Sequence, residues 1–145
     1  MGLIRLGDKP PLTIEPAQTV YQAACAMTDR QVGAAVVVEG QAVVVGVVSE
    51  RDVVKKVVAQ GRDPNAVRVR DIMSSPALSV NLKTSVADAA DLMRKNHIRH
   101  LVVLDAHGDL VGMLALRYLL YDLMDDMQRN VGDLMGYIMT DGPGG

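Results

Sequence analysis

A hydroxyl and a carboxylate stand three residues apart in Gly46-Val47-Val48-Ser49-Glu50-Arg51-Asp52. The valine-rich run before Ser49 has the branched composition of a strand. Val53, Val54, Val57 and Val58 then recur at helical spacing. The pattern predicts a strand feeding a helix, with Ser49 at or near the cap. Such a junction offers unpaired backbone N–H groups and a hydroxyl to an anion. One turn further in, the Asp52 carboxylate is placed to take both hydroxyls of a ribose. The same two residues equally serve as an ordinary cap that favours the positive end of the helix.

Other reactive residues form no comparable group. Cys25 stands alone, has no His or acidic partner in sequence, and its helical neighbours predict a buried thiol. His97 and His100 straddle a predicted helix end and His107 falls in a turn, so their spacing predicts no metal site. No nucleophile–base set, paired carboxylates or Walker-type loop is present, and the expectation is a protein that is not an enzyme and requires no cofactor.

Composition narrows the partners. The 145 residues are 49% apolar and contain neither Phe nor Trp, so the core must be built from Val, Ile, Leu, Ala and Met. A formal charge of -2 supplies no long-range pull on nucleic acid or anionic lipid, and aromatic stacking platforms are lacking. Neither is expected as a partner. The single cysteine fits a reducing compartment, and no apolar run is long enough for a bilayer, so a cytoplasmic protein is expected.

The elements that position Ser49 and Asp52 occur twice. Displacing the sequence by 66 positions puts Pro10 on Pro76, Ala23-Ala24 on Ala89-Ala90, Met27 on Met93, Val45-Gly46 on Val111-Gly112 and Arg51 on Arg117, without a gap. Each copy reads β-α-β-β-α. An extended piece (12–14; 78–80) precedes a helix opened by a capping box at Thr19–Gln22 or Ser85–Asp88, with an apolar stripe at i, i+3, i+4, i+7. Strands 34–38 and 42–48 follow, then their counterparts 101–105 and 110–114. The predicted fold is α/β (α+β). It has two such repeats, at 8–60 and 72–122, packed about a pseudo-twofold axis with a shared core. A polar linker spans 61–71, a C-terminal helical extension 123–139, and a disordered tail 140–145.

This repeat resembles the tandem cystathionine-β-synthase (CBS) domain pair, or Bateman module. The resemblance is carried by Val32-Gly33-Ala34-Ala35-Val36-Val37-Val38, by the Gly46–Asp52 stretch, by Asp71-Ile72-Met73, and by Ile98-Arg99-His100-Leu101-Val102-Val103-Leu104-Asp105. It implies a regulatory module that binds AMP, ADP or ATP between its repeats. Ser49 and Asp52 match the family's Gly-x-x-(Ser/Thr)-x-x-Asp ribose pattern. The resemblance further implies Arg99, His100 and Arg117 at the phosphate, and Val47, Leu78, Ser79, Val80 and Ile98 around the adenine. A second cleft is expected to be degenerate at Thr13, Gly33, Ala115 and Tyr118, because Ala115 and Tyr118 stand where the first copy has Ser49 and Asp52.

The apolar positions Leu116, Leu119, Leu120, Leu123, Met124, Met127, Val131, Leu134, Met135 and Ile138 continue the last helix beyond the repeat. Such a face predicts a homodimer. The output is expected to pass to an unidentified partner protein. The competing expectation is a dimeric interaction scaffold whose ligand sites have decayed.

Overall fold

The computed structural model describes residues 10–41 and 43–130. The expectations for residues 1–9, for the helix beyond Asn130 and for the tail lie outside the described residues. In the first repeat β1 (Thr13–Ile14), α1 (Val20–Arg30), β2 (Ala34–Glu39), β3 (Val43–Ser49) and α2 (Glu50–Val53) follow in order, and a π turn (Val54–Val58) extends α2. A short α3 (Val69–Ile72) precedes the second repeat, made of β4 (Ser79–Asn81), α4 (Val86–Asn96), β5 (His100–Leu104), β6 (Leu110–Ala115) and α5 (Leu116–Asn130).

Each repeat forms its own three-stranded sheet, β1-β2-β3 and β4-β5-β6. In each, the first strand lies parallel and the third antiparallel to the middle one. The duplication extends to irregularities. The ladder slips between Val37 and Val38 in one sheet and between Val103 and Leu104 in the other, positions 66 apart. A bulge placed identically in both copies is a built feature of the repeat.

Local chemistry explains the helix ends. Thr19 Oγ1 accepts from Gln22 N at 3.1 Å and Gln22 Oε1 accepts from Thr19 N at 2.9 Å, a complete capping box. The second repeat keeps half of it: Ser85 Oγ accepts from Asp88 N at 3.1 Å. Both helices stop at a left-handed residue that is not glycine, Gln31 and His97, each at φ 55°. The turn is a Schellman reversal, with Val32 N donating to Met27 O and Ile98 N to Met93 O, both at 3.0 Å. It drives Val32 and Ile98 back against the helix and delivers the next two residues, Gly33-Ala34 and Arg99-His100, to the strand starts.

The expected shared core separates into two. Ile14, Val20, Ala23, Met27, Val37, Val48 and their neighbours form one buried cluster; Val86, Ala89, Met93, Leu101, Val103, Leu114 and Leu119 form the other. Part of the segment read as a polar linker belongs to the first cluster, because Val67, Val69 and Ile72 are buried there. Backbone bonds hold it: Val69 N donates to Gln18 O, and Val47 and Ser74 exchange N–H···O bonds at 3.0 and 2.9 Å on the outer edge of β3. A four-residue α3 has no strong propensity of its own, and its apolar side chains find the nearest open face. Cys25 is exposed, contrary to expectation. The buried stripe of α1 runs through Val20, Ala23 and Met27, and position 25 falls off it.

Candidate functional site

The strand–helix junction at Ser49 takes the predicted form. Ser49 is still extended, at φ -118° and ψ 162°, while Glu50 begins the helix. Its Oγ accepts from Asp52 N at 3.2 Å. The Asp52 carboxylate reaches back, and one oxygen accepts from Ser49 N at 2.9 Å and from Ser49 Oγ at 3.1 Å. The other oxygen lies 3.4 Å from Lys56 Nζ, which also donates to Ile72 O at 2.8 Å. A carboxylate offers about four lone-pair sites, and three have partners here. A sugar diol at Asp52 must therefore share the carboxylate with Ser49 and Lys56. Glu50 N donates to Gly33 O at 2.9 Å, tying the start of α2 to the start of β2.

The second repeat repeats the tie and changes the chemistry. Leu116 N donates to Arg99 O at 2.8 Å, the counterpart of the Glu50–Gly33 bond. His100 opens β5 opposite Ala115, as Ala34 opens β2 opposite Ser49. Its imidazole is half-buried. Burial first, and then the charges of Arg117 and Arg99, hold its pKa below the ordinary 6.5. Arg99, His100 and Arg117 thus form one group, with both arginines exposed.

The repeats meet at this point. A Cβ built on Gly33 would lie 3.3 Å from Glu50 Oε1 and 3.7 Å from His100 Cε1. One carboxylate and one imidazole therefore face a position that has no side chain, and the charges of Arg117 and Arg99 bear on that imidazole. Among the described residues no hydrogen bond or ion pair joins Asp52 to Arg99 or His100; the cross-repeat contact runs through Gly33, Glu50 and His100. The sequence alone assigned no role to Glu50 or Lys56. Lys56 was legible as an i+4 partner of Asp52; Glu50 carried no local signal.

The remaining candidates are dispersed around these groups. Val47 and Ile98 are half-buried, and Val80 and Ile98 pack against the second core cluster. Leu78, just before β4, and Ser79, which opens it, are exposed, and Leu78 O accepts from Val102 N at 3.1 Å. Thr13 lines a shallow hollow of roughly 440 Å³ with Ile14, Glu15, Gln18 and Val38. Ala115 closes β6. Tyr118, at the position equivalent to Asp52, is 55% exposed rather than packed among the leucines. Its ring meets Tyr121 edge-on at 6.2 Å and carries the Arg117 guanidinium at 5.1 Å, so Arg117 lies against an aromatic face and not against Asp122 or Asp126.

Two separate stretches, 5–59 and 69–125, match the CBS domain model. The chain belongs to the CBS-domain family. As a CBS pair it is 40% identical over 104 residues to CBS domain-containing protein YhcV of Bacillus subtilis, covering 72% of each chain. It is 36% identical over 109 residues to a Methanopyrus kandleri protein, covering 75% of this chain but only 56% of that one. Among solved structures it resembles a protein with CBS domains from Burkholderia ambifaria, with a TM-score of 0.77, 33% identity and coverage of 86% and 90%. It also resembles a CBS domain protein from Pyrobaculum aerophilum complexed with AMP, with a TM-score of 0.71, 32% identity and coverage of 81% and 94%. The kinship accounts for the paired three-stranded sheets. Among the described residues no three His, Cys, Asp or Glu side chains gather to hold a metal ion, and no helix is long and apolar enough to cross a membrane.

Proposed function

We propose that this CBS pair binds AMP, ADP or ATP between its repeats and transmits the binding to a partner protein. In this reading Ser49 and Asp52 hold the ribose. Arg99, His100 and Arg117 meet the phosphate, and Val47, Leu78, Ser79, Val80 and Ile98 surround the adenine. One observation carries it: a carboxylate locked into a strand–helix cap in one repeat, and a guanidinium–imidazole group at the inter-repeat contact in the other. Guanidinium forks match phosphate oxygens, and an imidazole adds a proton-dependent bond. The AMP held by the Pyrobaculum relative supports the ligand class.

Nucleotide that binds only the folded chain stabilises it by roughly 2.7 kcal/mol at one hundred times its dissociation constant. Thermal unfolding with AMP, ADP, ATP and S-adenosylmethionine is the test. The reading expects a rise with at least one adenine nucleotide, reduced in Asp52→Ala. An equal rise in Asp52→Ala, or none with any adenosine compound, removes it.

A second reading, a dimeric scaffold, is favoured by the exposed apolar residues. Val54 and Val58 on the first repeat match Leu120 and Met124 on the second at the same 66-residue offset, and all four are exposed. A second copy covers such a symmetric patch economically. Light scattering at micromolar concentration, with Val58→Asp as the disrupting variant, tests it. A monomeric native chain excludes it.

A further inference from the structure

Away from the inter-repeat contact, Lys55, Lys56, Gln60, Arg62 and Asp71 line an open hollow of roughly 470 Å³. Two backbone devices assemble it. The π turn widens the helix: Ala59 N reaches Val54 O, five residues back, at 2.8 Å. In a wider turn, residues five apart such as Lys55 and Gln60 come to one side, where α-helical geometry would separate them. Gly61, at φ 68°, then closes the helix. Gly61 N donates to Val58 O at 3.1 Å and Arg62 N to Val57 O at 2.9 Å, a Schellman reversal that turns Arg62 back along the helix.

Three cations thereby share a hollow with one carboxylate, in a chain whose net charge is -2. The carboxylate is engaged, since Asp71 Oδ2 accepts from Arg68 N at 3.0 Å. Lys56 is held by Asp52 and Ile72 O. Among the described residues the Lys55 ammonium, the Arg62 guanidinium and the Gln60 amide make no hydrogen bond or ion pair, and all three residues line the hollow. We propose that this hollow binds a phosphoryl dianion, a site separate from Arg99, His100 and Arg117. A guanidinium fork and two ammonium groups suit such an oxyanion. Through Lys56 the dianion bears on the carboxylate of Asp52.

The probe is inorganic phosphate, titrated at low ionic strength and followed by thermal unfolding, with sodium chloride matched for ionic strength. Phosphate is expected to raise the melting temperature of the native chain and of Asp52→Ala. Its apparent affinity should fall roughly tenfold or more in Lys55→Gln/Arg62→Gln, because two charge-assisted donors are lost. The substitutions lie at exposed positions, so that variant should melt normally in chloride; Lys55→Gln alone serves as a second, milder variant. If the phosphates belong to a nucleotide tail, the double variant weakens ATP but not AMP and free phosphate alone has little effect, which supports the site and identifies the source. If phosphate acts no more strongly than chloride and the variants bind AMP and ATP as the native chain does, the cations only offset the helix's C-terminal carbonyls, and the proposal is overturned. Failure of every adenosine compound alongside a phosphate response would sink the nucleotide reading and leave this site standing.

Discussion

Gly33 and His100 face each other across the two repeats, and a methyl group on the Gly33 Cα would lie 3.7 Å from the imidazole Cε1. The same methyl would lie 3.3 Å from Glu50 Oε1, the tip of a flexible side chain that can swing aside. Gly33→Ala should therefore change stability by no more than about 0.5 kcal/mol. Gly33→Leu must wedge a branched group between Glu50 and His100. It should weaken nucleotide binding by roughly tenfold, about 1.4 kcal/mol, with little change in melting temperature. Titration calorimetry of the two variants with AMP makes the comparison; equal affinities would show that this contact lies outside the ligand's path.

Gly46 presents the opposite case. A Cβ there would lie 2.7 Å from Ser74 O and 2.9 Å from Met73 Sδ, and the first of these is backbone held by the Val47–Ser74 bonds. Gly46→Ala should separate the 73–75 segment from β3 and destabilise by about 1–3 kcal/mol. Urea unfolding should show the loss. A native-like midpoint would mean that the segment is free to move off the sheet.

The Ser49–Asp52 cap predicts a pair of effects that can be told apart. Asp52→Ala leaves Ser49 N without its acceptor and should cost about 0.5–2 kcal/mol. It should also reduce the nucleotide-dependent rise in melting temperature. Asp52→Asn retains a carbonyl oxygen for Ser49 N but not the charge that draws Lys56. It should recover most of the stability and little of the nucleotide response. Ser85→Ala, which removes the corresponding cap from α4, should lower stability without touching the response.

His100 makes stability depend on pH. Its folded pKa lies below the 6.5 of an unperturbed imidazole because burial, Arg117 and Arg99 all disfavour the charged form. Above that value neither state carries the proton and nothing is lost. As pH falls from 6.5 through the folded pKa, the unfolded chain takes up the proton first and stability declines. Between about pH 7.5 and pH 5.5 the melting temperature should fall further for the native chain than for His100→Gln. A phosphate beside the imidazole reverses the sign, because it favours the imidazolium, so AMP should bind more tightly at the acid end. Parallel pH profiles for native and His100→Gln protein would remove His100 from both effects.

Much of the framework was legible in the sequence. The 66-residue offset predicted the element order, and spacing alone announced the capping box of Thr19 with Gln22, half of that expected at Ser85 with Asp88, and Ser49 as a cap. Less legible was the fate of isolated side chains. Cys25 was expected inside apolar surroundings and is exposed, because one position on a helix differs from the next by 100° while neighbours in sequence look alike. The segment 61–71 read as linker because its charged residues outnumber its apolar ones, yet Val67 and Val69 are buried in the first cluster, as is Ile72, read as the start of the second repeat.

The sequence by itself determined the duplication, the turn and cap chemistry, and the pairing of a hydroxyl with an acid, since each depends on residues within a few positions of one another or on a register that repeats. Only the tertiary structure decided that Gly33 and Glu50 face His100, that Val69 and Ile72 complete the first core, and that a π turn and a left-handed glycine gather Lys55, Lys56 and Arg62. Burial and electrostatic neighbours arise from the packing of distant elements, and that information is not carried by any one stretch of chain.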